Sequence, residues 1–183
     1  NYSQVPYRIR SYEEIRQNPR ESIDFDFDLA KRIESRVRDF GSDGKLLQNR
    51  DGGVYRATMG EKLLVPALAK MTNFVPEGGI WLNTQRPEWN DANNALAGYG
   101  LSMVTVCYLR RYLAFLNDWF ASLTLPQFLV STDIVALMQQ IEEVLKNHLP
   151  GAQAMTDQQR MEMVEGLSLA GSVYRETLYE RGL

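Results

Sequence analysis

Leu96, Met103, Val106, Leu109, Leu113, Leu116 and Phe120 recur at helical spacing between Ala92 and Ala121, which predicts one long α-helix there. The first half of that segment is apolar nearly all round. A helix without a polar face must be covered by protein on most sides, so this one is expected at the centre of the fold. Its longest uncharged run, Ala95 to Leu109, falls short of the roughly 18 to 20 residues that a bilayer span needs. The reading is of a soluble chain that does not enter a membrane.

The remaining periodic segments are helical too. From Ser22, the residues Phe25, Leu29, Ile33, Val37 and Phe40 keep spacings of three and four, Asp24, Asp26 and Asp28 complement the positive helix end, and Gly41 stops the run. A second helix fits Gly60 to Thr72, with Pro66 as its awkward residue. Ser131 is placed to cap a helix that runs through Ile134, Leu137, Ile141 and Leu145 and ends before Pro150. Thr156 and Gln159 have the capping-box spacing and open a last helix through Met163, Leu167, Ala170, Tyr174 and Leu178. Gly166 and Gly171 within it each cost about 1 kcal/mol relative to alanine, so a close helix contact or a bend is expected at both. Residues 1–21 read as an irregular arm with one helical turn at Tyr12 to Gln17, and the glycine-rich turns between Gly41 and Ala57 as a small hairpin or ordered loop. The expected architecture is mainly α. It is a single helical domain or a fragment of a larger catalytic domain, with helices over 22–121 around a loop at 80–94 and C-terminal helices over 131–183.

Composition excludes several functions. At 183 residues, 44% hydrophobic and 23% charged, the chain is globular rather than disordered. Its net charge of −3 lacks the basic surplus of a nucleic-acid binder. One cysteine and one histidine leave too few soft ligands for a zinc site, and no cofactor is expected. Cys107, among apolar neighbours, reads as an inert core thiol. The compartment stays open between cytoplasm and periplasm. The first residue is Asn1 rather than methionine, so the rest of a larger parent chain, or a second copy, is an expected partner.

Chemistry concentrates between Ile80 and Asn94, where two tryptophans, four asparagines, a glutamine, an arginine and two carboxylates share fifteen residues. Carbohydrate sites combine aromatic faces, which stack on sugar rings, with planar amides and charged groups, which make paired bonds to neighbouring hydroxyls. Trp81 and Trp89 supply the first; Asn83, Gln85, Arg86, Glu88, Asn90 and Asp91 supply the second. The structural alternatives remain: Asn90 and Asp91 as a helix cap, the tryptophans as core, and Arg86 as a simple partner of Glu88.

The stretch Arg86-Pro87-Glu88-Trp89-Asn90-Asp91-Ala92-Asn93-Asn94 resembles the Trp-Asn-Asp motif of glycoside phosphorylases of the cellobiose phosphorylase type. More loosely, it is similar to the acid motifs of debranching and other glycosidases built on an (α/α)6 barrel. The resemblance implies an α/α toroid, an oligosaccharide substrate, and Asp91 as the general acid that protonates the glycosidic oxygen, with inorganic phosphate as co-substrate in a phosphorylase. This chain departs from the phosphorylase pattern, which places a glycine and an acidic residue around the tryptophan. It is also too short for the full ring of helices. A general acid must stay protonated near neutral pH, which mutual repulsion between Glu88 and Asp91 could arrange. If Asp91 instead caps the helix, the dipole favours its ionised form and Glu88 becomes the better acid. An inverting hydrolase needs a second carboxylate roughly 6.5 to 9.5 Å away. Asp51, Glu61 and Glu77 are the nearest in the chain. The reading is therefore cleavage or phosphorolysis of a glycosidic bond. The alternative is a helical protein-interaction domain without catalysis.

Overall fold

The computed structural model describes residues 1–49, 51–83, 98–124, 128–148 and 154–181. The chain is mainly helical. Strand β1 (Tyr7–Ile9), helix α1 (Tyr12–Gln17), strand β2 (Ile23–Phe25) and helix α2 (Phe27–Phe40) lead into a short 3-10 helix at Gly41–Lys45. Helix α3 (Met59–Met71), strands β3 (Phe74–Val75), β4 (Gly79–Trp81) and β5 (Leu101–Ser102), and helices α4 (Met103–Ser122), α5 (Thr132–His148) and α6 (Asp157–Glu180) follow.

The helix starts follow their caps. Ser11 and Glu14 form a capping box on α1, Thr58 accepts from the Glu61 amide on α3, and Thr156 and Gln159 complete the box expected on α6. The Ser131 hydroxyl accepts from the Ile134 amide at 3.4 Å, as its place before α5 suggested. The helix expected from Ser22 begins later. Asp26 caps it, its carboxylate accepting from the Leu29 amide at 2.8 Å, while Ile23–Phe25 pair with β1 in antiparallel register, Ile9 opposite Ile23. Gly41 ends α2 at φ 66°, a backbone angle that residues with a Cβ rarely adopt.

The N-terminal arm is more ordered than its sequence suggested. It docks along α6: the Ile9 amide donates to the Tyr179 hydroxyl at 3.0 Å and the Tyr12 amide to the Ser172 hydroxyl at 3.1 Å. Ile15 is fully buried. The hairpin or ordered loop expected after Gly41 takes the form of a loop with a bridge between Gln48 and Val54, the Asn49 amide donating to the Gly53 carbonyl at 2.7 Å.

Two apolar clusters meet on α3. Leu68 packs with Ile134, Leu137 and Ile141 of α5 and with Met163, Leu167 and Ala170 of α6. Ala67, its neighbour in sequence, packs with Ile80 of β4 and with Leu109 and Leu116 of α4. The central helix is therefore α3, which corrects the expectation for residues 92–121. Residues 92–97 lie outside the described ones. Gly98 and Tyr99 turn, Leu101 and Ser102 join the sheet in order β3-β4-β5, and α4 starts at Met103 under its Ser102 cap. Gly98 holds φ at 80° with the Pro19 carbonyl oxygen 2.5 Å from where a Cβ would stand, so the backbone bends here instead of coiling. On α4 itself Leu109 and Leu116 are buried, while Val104, Tyr108 and Phe115 are 66%, 64% and 55% exposed. Cys107 is exposed as well, not a core thiol. No described helix is long and apolar enough to cross a membrane.

Both interior glycines of α6 mark close helix contacts. A Cβ on Gly171 would stand 2.8 Å from Cβ and Oγ1 of Thr72, at the end of α3; one on Gly166 would meet Cγ2 of Val144 on α5 at 2.9 Å. Thr72 is itself buried and donates its hydroxyl to the Ala69 carbonyl at 3.0 Å, so it has little room to yield. Gly171→Ala is accordingly expected to destabilise by about 1–3 kcal/mol despite the better helix propensity of alanine. Gly166→Ala, which would press on the Cγ atoms of Val144 while the Val144 Cβ stays 3.7 Å away, should cost less. Urea denaturation of both variants checks the order.

Candidate functional site

Strand β4 is central in its small sheet, and its two-residue alternation separates structure from surface. Ile80 turns into the core under α4, at 1% exposed. Trp81, next along, lines a cavity of about 250 Å³ between α3, β4 and α6. Polar side chains in its lining include Lys70, Asn73, Asn83, Thr105, Tyr174 and Arg175. Backbone bonds hold the rim: the Trp81 amide donates to the Asn73 carbonyl at 2.7 Å, and the Leu82 amide to the Gly100 carbonyl at 3.0 Å. A relay of amides continues from there. Asn83 Nδ2 donates to Asn73 Oδ1 at 2.9 Å, and Asn73 Nδ2 donates to the Ala69 carbonyl at 3.2 Å. Pro66 stands mid-helix on α3 and also lines the cavity, and its ring cannot donate to the Lys62 carbonyl one turn earlier.

Of the residues singled out from the sequence, the structure brings Trp81 and Asn83 to this one cavity. Gln85, Arg86, Glu88, Trp89, Asn90 and Asp91 lie outside the described residues. None of the other nearby carboxylates lines the cavity. Asp51 accepts from the Gly53 amide at 3.0 Å in an exposed turn, and Glu77 pairs with Arg160. Glu61 is buried, where its two oxygens accept from the Tyr55 hydroxyl at 3.3 Å and the Ser131 amide at 3.1 Å. It ties α3 to the start of α5. Among the described residues no group of three or more histidines, cysteines, aspartates or glutamates is gathered as metal ligands.

Sequence reasoning missed Arg175 and Lys70. Arg175 sits in the C-terminal part of α6, one turn past the buried Gly171, and its Nε is buried without a hydrogen-bond partner. Burial pulls its pKa below the ordinary guanidinium value, against the opposing pull of Tyr179 and Glu176. The one available signal was an arginine one position after Tyr174, on a helix stripe otherwise made of small and apolar residues.

Tyr2, Tyr55 and Tyr174 gather around Glu61. Burial first, then the Glu61 charge, pushes Tyr2 up to about 12. Tyr174 rises for the same first reason, then through its interactions with Tyr2 and Glu61. The unfolded chain releases phenolic protons near pH 10, before the folded chain does, so it binds fewer protons above that pH. Stability is therefore expected intact below about pH 10 and falling as pH rises through about 12. Tyr2→Phe should flatten this alkaline loss. Because the Tyr2 hydroxyl is buried without a partner, the same change should leave stability at pH 7 unchanged or raise it by up to ~1 kcal/mol. Denaturant melts at pH 7 and across pH 9–12, with tyrosinate absorbance followed in parallel, check both statements.

No protein-family model matches the chain, and no curated protein matches it in sequence.

Proposed function

We propose that this chain is a carbohydrate-processing domain, in which the Trp81–Asn83 edge forms one wall of a sugar site and the residues that follow supply the chemistry. The supporting observation is that Trp81 and Asn83, singled out for sugar contacts by residue type alone, line one cavity together with the Asn73 amide. An indole beside linked carboxamides is the pairing that stacks on a pyranose face and bonds its hydroxyls. In this reading Asp91 is the acid that protonates the glycosidic oxygen, Glu88 either raises its pKa by repulsion or replaces it, and Gln85, Arg86, Trp89 and Asn90 hold the substrate. Cleavage uses water; phosphorolysis uses inorganic phosphate. The outward apolar residues of α4 suit packing against further helices, as in an α/α toroid.

The same α4 residues favour a second reading, a helical interaction domain that buries Val104, Tyr108 and Phe115 against a protein partner. The two readings separate by experiment. Asp91→Asn and Glu88→Gln are assayed on oligosaccharides with and without phosphate, in otherwise unmodified protein. Loss of the acid should lower turnover by about 10²- to 10⁴-fold in one of the two. Full activity in both variants removes the catalytic assignment. Crosslinking to a protein partner, with no sugar affinity by calorimetry, favours the interaction domain instead.

A further inference from the structure

The chain as a whole carries a net charge of −3, yet the charged side chains among the described lining of this cavity are both cations. Its lining includes two cations, Lys70 and Arg175, and among the described residues no carboxylate. The ion pairs of the described residues involve neither of them. A partly buried guanidinium is normally met by an acid or a full set of acceptors, because taking an unmatched charge out of water is costly. Here Nε is buried with no acceptor, and Glu176, the acid that acts on its charge, forms no ion pair with it. The two side chains come from different helices, α3 and α6, which meet closely at Gly171 and Thr72. Their convergence is built into the helix packing, unlike that of charges on a flexible surface loop.

Size and walls narrow the ligand. At about 250 Å³ the cavity lies below the roughly 300 to 1,000 Å³ of drug-sized sites, so it holds one small ring and not an oligosaccharide. Trp81 offers that ring a face, and Asn83 and Asn73 stand beside it. We propose that this cavity is a subsite for a sugar residue bearing an anionic substituent, a carboxylate or an ester phosphate, which Arg175 and Lys70 bind while the ring lies against Trp81. Arg175 presents a planar donor fork that matches either group, and Lys70 adds a mobile point charge. The proposal rests on the carbohydrate reading above and adds the charge of the substrate to it.

The test is calorimetric titration of the unmodified protein with glucuronate, glucose 6-phosphate, glucose and inorganic phosphate at low and high salt. Glucuronate or glucose 6-phosphate should bind at least tenfold more tightly than glucose and lose affinity with added salt, and whichever binds better identifies the anionic group. Arg175→Gln should abolish that preference. Because Arg175 is partly buried and its replacement could perturb folding, Lys70→Gln on the rim is a second variant, expected to weaken the anionic sugars at least threefold and glucose not at all. Trp81→Ala should weaken every sugar alike. Glucose binding as tightly as the anionic sugars, insensitive to Lys70→Gln, overturns the charged-substrate proposal and leaves the carbohydrate reading standing. Inorganic phosphate binding as tightly as glucose 6-phosphate, with no effect of Trp81→Ala, overturns the sugar assignment of the cavity. Absence of binding by all four overturns the proposal, while turnover of neutral oligosaccharides would still support the general reading.

Discussion

Helix α3 is packed on two sides at once, and the rest of the fold depends on that. Leu68 faces the α5–α6 pair and Ala67 faces α4 and the small sheet, so adjacent residues anchor separate clusters. Ala67 is small enough to let Ile80 and the sheet come close, and Gly171 lets α6 come close on the other side. An interior packed to crystal density gives such contacts little freedom to slide. The buried Glu61 carboxylate adds a directional tie, holding the start of α3 to the start of α5 through the Ser131 amide.

The cavity follows from the same arrangement. Beyond Thr72 the chain leaves α3, turns through β3 and returns as β4, which lays Trp81 across the end of the helix. Lys70 and Asn73 lie at that helix end, and Arg175 lies one turn past the close contact at Gly171. Where α3 and α6 touch, at Thr72 and Gly171, there is no room for a side chain, and both residues line the pocket beside that contact. The N-terminal arm closes part of its edge, since Ile9 lines the cavity and its amide is fixed to Tyr179.

Some of this was legible residue by residue. Caps are local, so Ser131, Thr156 with Gln159, and the stop at Gly41 could be placed from a few neighbours. The cost of glycine inside a helix pointed correctly to close approach at residues 166 and 171, though not to which helix approaches. The apolar periodicity between Ala92 and Ala121 misled in two ways. It ran through Gly98 and Gly100, where the chain bends into a strand, and it equated an apolar surface with burial inside this chain. The strand at Ile23–Phe25 was hidden because its partner, β1, is held by an arm whose anchors are on α6, more than a hundred residues away.

Residue types alone determined that the chain is mainly helical, where most helices begin, and that the stretch after Gly79 concentrates aromatic and carboxamide groups. These properties depend on neighbours three or four positions apart, within reach of any local reading. Tertiary structure alone decided that α3 is the central helix, that Trp81 turns outward while Ile80 turns in, and that Lys70 and Arg175 meet in one cavity. Those outcomes depend on which surfaces exclude water together, and two cations a hundred residues apart carry no mark in the sequence that they will share a wall.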